Sequence, residues 1–150
     1  MKFGFAQEFS YDIKSEGFQS LSEELTLFLA DKDYGKDLKE LYIGIICVHP
    51  DFDQFYKPRR PRYTSEKKRY EKHGVVYELD KTLGYDIILD HTLILKSTQE
   101  EHRKITAQEI LNSLIVFDKY KAKIKDFDRE AFKADLEGFF RERHLLTNWS

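Results

Sequence analysis

The sequence predicts an α+β fold: an antiparallel sheet of about four to five strands with about three helices packed on one face, in two layers. Three observations lead there. Apolar residues alternate with period two from Phe3 to Ile13 and again from Val75, as half-buried strands do. The period becomes helical after Phe18 and in the C-terminal third. The resulting order of strand, helix, strands, helix, helix suits helices segregated to one side of an antiparallel sheet. With 150 residues, 41% hydrophobic and 35% charged, the chain can bury a sizeable core and is expected to form one domain over 1–150.

Taking the elements in order, Phe3, Phe5, Phe9, Tyr11 and Ile13 occupy odd positions and Lys2, Glu8, Ser10, Asp12 and Lys14 even ones, with Gln7 the one break on the apolar side. Phe18, Leu21, Leu25, Phe28 and Leu29 follow helical spacing. Ser20 and Glu23 have capping-box spacing and Gly35 offers a stop, so a first helix is expected over roughly 19–33. Leu41 to His49, LYIGIICVH, is a short apolar run rich in β-branched residues, which predicts a central strand buried on both faces. All three prolines follow, Pro50, Pro58 and Pro61, and they favour a loop or a sheet edge.

From Val75 to Leu79 and from Tyr85 onward the alternation predicts a hairpin turning at Lys81 to Gly84, with a second strand that can run on to Lys96. Thr106 and Glu109 have capping-box spacing ahead of an apolar face made by Ile110, Leu111, Leu114, Ile115 and Phe117. Lys119, Lys121, Lys123 and Lys125 crowd the end of that helix, where cations suit the dipole. Asp128 is placed to cap a third helix carrying Phe132, Leu136, Phe139 and Phe140.

Chemistry is sparse. Cys47, the single cysteine, lies within the apolar run; it rules out a disulfide within the chain and is expected to be a buried hydrophobe. Polar residues interrupt the first ten positions, no apolar run approaches a membrane span, and the chain is expected to be cytoplasmic. HPDFD, His49 to Asp53, is the best metal-like cluster, since His49, Asp51 and Asp53 would share one side of an extended chain and Asp86, Asp90 and His91 could complete a site. A solvated turn explains the same residues, because Asp favours turns. Asp86 and Asp90, four apart on the expected strand, could act as an acid–base pair or simply form its outward polar face. His73, His102 and His144 have no obvious partner in sequence, and P-loop, GxGxxG and G-x-S-x-G motifs are absent. No catalytic residue, metal or cofactor is assigned.

The segment from Lys57 to His73 holds eight of the 25 Lys and Arg residues and two of the 27 Asp and Glu residues, a net of +6 that leaves −8 on the remainder. It could contact phosphates, with Tyr56, Tyr63 and Tyr70 stacking on bases. An acidic body opposes polyanion binding, so a protein partner or a solvated loop accounts for the segment better.

YDIILD (Tyr85 to Asp90) and KAKIKDFDREAFKADLEGFF (Lys121 to Phe140), with KPRRPRY (Lys57 to Tyr63), resemble the immunity proteins of bacterial polymorphic-toxin systems. That resemblance implies a small cytoplasmic, non-enzymatic protein that neutralises a cognate toxin by direct binding. Two surfaces are then expected to meet the toxin: Arg59, Arg60, Arg62 and Tyr63, and the acidic set Asp51, Asp53, Asp86 and Asp90. Arg and Tyr are favoured at binding hot spots, and uneven charge selects partners. The alternatives are a nucleic-acid-binding domain using residues 57–73, and a metal-dependent hydrolase.

Overall fold

The computed structural model describes residues 2–9, 12–36, 38–47, 76–79, 81–114 and 127–146. Among these the elements run β1 (Lys2–Phe9), α1 (Glu16–Leu29), β2 (Glu40–Cys47), β3 (Val76–Leu79), β4 (Thr82–Ile88), α2 (His91–Lys96), α3 (Gln99–Ser113) and α4 (Arg129–Glu142). The strands form a four-stranded sheet in the order β1-β2-β4-β3. The fold is α+β, but the sheet is mostly parallel: β1 pairs with β2 and β2 with β4 in parallel, and only the β3–β4 hairpin is antiparallel. This corrects the expected antiparallel sheet. Alternation reveals that a strand has one buried face; it carries no information on direction. The helix between β1 and β2 decides that, because it returns the chain to the starting edge.

β1 spans Lys2–Phe9, and Ile13, the last residue of the alternation, lies outside it. Phe3 is buried, Phe5 and Phe9 are half-buried, and Gln7 is exposed. The rings of Phe5 and Phe9 meet Phe18 of α1 edge-on, at 6.2 and 5.3 Å between centroids. Phe18, Leu21, Leu25 and Leu29 form the buried stripe of α1, each burial worth roughly 1.5–3 kcal/mol. The cap is Ser15, whose Oγ accepts from the Phe18 N–H at 3.0 Å, and not Ser20, whose hydroxyl donates to the Gly17 carbonyl one turn inside the helix. α1 closes at Ala30, before Gly35.

β2 is buried on both faces from Ile43 to Cys47, as its continuous apolar run implies for a central parallel strand. Gly4, Tyr42 and Gly84 lie level across β1, β2 and β4. The Tyr42 ring lies over both glycines: a Cβ on Gly84 would sit 3.2 Å from its Cδ1, and one on Gly4 3.9 Å from its Cδ2. Gly84, placed in the turn by its type, therefore belongs to the sheet, where it makes room for a ring. Lys81 takes the positive φ of 68° between β3 and β4.

β4 ends at Ile88 and does not extend to Lys96. Asp90 Oδ1 accepts the Leu93 N–H at 2.9 Å and opens α2; Leu93 and Leu95, which made the alternation look continuous, are 46% and 51% exposed. α3 starts at a capping box of Thr98 and Glu101, eight residues before the Thr106–Glu109 pair. Thr106 is instead buried, and among the described residues its hydroxyl finds no hydrogen-bond partner. Thr106→Val keeps the shape, removes the stranded hydroxyl, and is expected to raise unfolding free energy by about 1 kcal/mol in chemical denaturation. A loss of stability would show that the hydroxyl is satisfied.

α4 matches the sequence reading. Asp128 Oδ1 accepts the Ala131 N–H at 3.0 Å, and Phe132, Leu136, Phe139 and Phe140 are buried. α1 packs on β1 and α3, and α3 on β4 and α4. Their buried residues form one core with Phe3, Leu41, Ile43, Ile45, Cys47, Leu83 and Ile87 of the sheet. The opposite face is not open either, since Gly44, Ile46 and Asp86 are buried there.

Candidate functional site

Three of the four strands end at the same edge of the parallel sheet, where α/β folds commonly place ligands. Asp12 follows β1, Cys47 closes β2, and Asp90 and His91 follow β4. His91 is buried, and its Nε2 lies 3.1 and 3.0 Å from the two carboxylate oxygens of Asp12. An N–H at Nε2 shared by both oxygens ties the β1–α1 connection to the start of α2. Asp90 is exposed, with one oxygen committed to capping. Burial pushes the Cys47 thiol up to about 12, with the Asp12 and Asp90 charges adding to the shift. A thiol held neutral is no nucleophile. Native Cys47 is therefore expected to stay unmodified by iodoacetamide at pH 8 over hours and to react at once in denaturant, as followed by mass spectrometry.

A second polar centre lies where α1, α2 and α3 meet, and nothing in the sequence pattern marks it. His102 is buried; its Nε2 is 2.6 Å from the Ile94 carbonyl, which can only accept. That nitrogen must carry a proton, and in the neutral imidazole Nδ1 then accepts from the Ser15 hydroxyl at 3.0 Å. The same Ser15 oxygen accepts the Phe18 N–H. Gln99 Oε1 takes the Gly17 N–H at 2.7 Å. Arg103 donates to Ser20 Oγ at 2.7 Å and meets Glu24 at the same distance, a charge contact oblique to hydrogen-bond direction. A serine beside a histidine suggests nucleophilic catalysis, but here the serine oxygen is spent on a helix cap and the histidine is enclosed. The arrangement clamps three helix ends.

The predicted site residues divide. Arg59, Arg60, Arg62, Tyr63, Asp51, Asp53 and His49 lie outside the described residues. Asp86 is fully buried in β4, level with Gly44 of β2, so it is not on an outward polar face. Asp90 is not on the strand at all. Among the described residues no three His, Cys, Asp or Glu side chains, Asp86, Asp90 and His91 included, could hold a metal ion. An open cleft of about 460 Å³ lies between the end of α1 and the start of α4, lined by Asp33, Tyr34, Gly35, Lys36 and Asp128. The Tyr34 hydroxyl donates to Asp135 at 2.6 Å, and burial together with that carboxylate raises its pKa far above the usual range.

Comparison with known proteins supplies the family. A match to Immunity protein 44 covers residues 1–142. The chain belongs to the immunity protein 44 family. The match reaches well beyond the segments that first suggested immunity proteins, and takes in β1, α1 and β2. The chain is also 32% identical over 93 residues to the aspartate carbamoyltransferase catalytic subunit of Parabacteroides distasonis. That alignment covers 61% of the chain and 30% of the transferase. No solved structure matches. Among the described residues, no helix of this immunity-family protein is long and apolar enough to cross a membrane.

Proposed function

We propose that this protein neutralises a cognate bacterial toxin in the cytoplasm by direct, non-catalytic binding. The family match over residues 1–142 carries the reading. The two buried histidines support it, since both spend their bonds on joining elements: His91 on Asp12, His102 on Ser15 and Ile94. The uneven charge supports it too, because a +6 segment on a −8 remainder favours fast, selective association with a charged partner.

The proposed contact residues are Arg59, Arg60, Arg62 and Tyr63, with Asp51, Asp53 and the exposed Asp90 as the acidic alternative. Asp86 is withdrawn from that surface because it lies too deep to meet a partner. The test is co-expression with any toxin domain found encoded beside the gene, followed by binding kinetics. The wild-type chain should restore growth and co-purify with the toxin. Charge reversal of the set in contact should slow association by roughly tenfold or more at low salt. Failure to rescue or to bind would sink the function; unchanged kinetics for both sets would sink only the surface.

A further inference from the structure

The two edges of the sheet are guarded differently. Among the described residues β1 forms one edge and β3 the other. Natural sheets blunt an edge with short strands, prolines or bulges, because unpaired N–H and C=O groups recruit further strands. β3 is blunted by length, with four residues. β1 has eight, no proline, and an unbroken register from Lys2↔Glu40 to Phe9↔Cys47.

Its outward groups can be assigned. The Lys2 N–H donates to the Lys39 carbonyl at 2.8 Å. In a parallel ladder this turns the backbone groups of Lys2, Gly4, Ala6 and Glu8 toward β2, and those of Phe3, Phe5, Gln7 and Phe9 toward the outer edge. Gln7, one of the residues whose backbone groups point outward, is exposed, so the edge is reachable there.

We propose that β1 pairs antiparallel with β1 of a second copy, about a two-fold axis at Phe5, to give a continuous eight-stranded sheet. A two-fold contact requires a strand complementary to its own reverse. KFGFAQE, Lys2 to Glu8, meets that requirement. Pairing centred on Phe5 sets Lys2 against Glu8 of the second copy, and Glu8 against its Lys2. Gly4 then meets Ala6, and Phe3 meets Gln7. The outward groups of Phe3, Phe5 and Gln7 supply roughly six hydrogen bonds. A one-residue slip opposes outward groups to inward ones. A two-residue slip keeps the ladder but separates both charge pairs, so charge selects the register. This proposal goes beyond toxin binding and does not depend on it.

The test is sedimentation of the untagged chain across concentration, with circular dichroism as the check on folding. The wild-type chain should dimerise. Lys2→Glu alone and Glu8→Lys alone should each weaken the dimer by roughly tenfold, because two attractive cross-strand pairs become repulsive. The double variant, with both pairs rebuilt in reverse, should recover the wild-type constant. A wild-type chain that is monomeric at every concentration overturns the proposal, as does a dimer indifferent to both single reversals or one that the double exchange fails to restore. A monomeric chain whose single variants lose toxin binding would overturn it in favour of a toxin strand on the same edge.

Discussion

Phe132→Ala is expected to cost about 4 kcal/mol of unfolding free energy. Phe132 is fully buried on α4. Its ring meets Tyr34 at 5.1 Å and Phe127 at 5.9 Å. Removing it strands both neighbours over a void and loosens the seat of Tyr34, whose backbone carbonyl accepts the Asp128 N–H at 2.7 Å. Two costs therefore add: lost transfer energy and a cavity that a helix held at its cap cannot collapse into. For a chain of this size the melting temperature should fall by about 10 °C. A drop of only one or two degrees would mean that α4 packs more loosely than its burial implies.

Gly17→Ala should cost about 3 kcal/mol, against ordinary helix propensity. Alanine in a helix interior is normally worth about 1 kcal/mol over glycine. At Gly17 the added Cβ would run into the backbone carbonyl of Gln99. Backbone cannot rotate out of the way as a side chain can, so α1 and α3 must separate and the Gly17–Gln99 and Ser15–His102 bonds must stretch. Gly138 is the internal control. It lies in α4, where an added Cβ would meet nothing within 4 Å, and Gly138→Ala should stabilise by about 1 kcal/mol. Opposite signs at two helical glycines, measured by chemical denaturation, would establish that the close approach of α1 and α3 is real. Equal signs would refute it.

The legible parts of this fold were those governed by local pattern. Phe3, Phe5 and Phe9 announced a half-buried strand, LYIGIIC one buried on both faces, and Phe132, Leu136, Phe139 and Phe140 a helix already capped by Asp128. Caps with competitors nearby were harder to read. Ser20 masked Ser15, and Thr106 masked Thr98, because capping-box spacing recurs wherever Ser or Thr precedes Glu by three. The true caps are the ones whose hydroxyl faces a free helix end, which depends on where the preceding element releases the chain. His91 and His102 had no partner in sequence because Asp12 and Ser15 are brought to them by the sheet and by helix packing.

By itself the sequence determined the apolar faces and periods of β1, α1, β2 and α4, though not of residues 91–96, where an apparent strand period is a helix, and that the charge is unevenly spread; these are properties of neighbours along the chain. Strand direction, the burial of Asp86 and the clamp around His102 were decided only in the tertiary structure. Each depends on residues distant in sequence meeting in space: a helix that brings β2 back parallel to β1, a sheet enclosed on both sides around Asp86, and a serine on one helix oriented by a histidine on another.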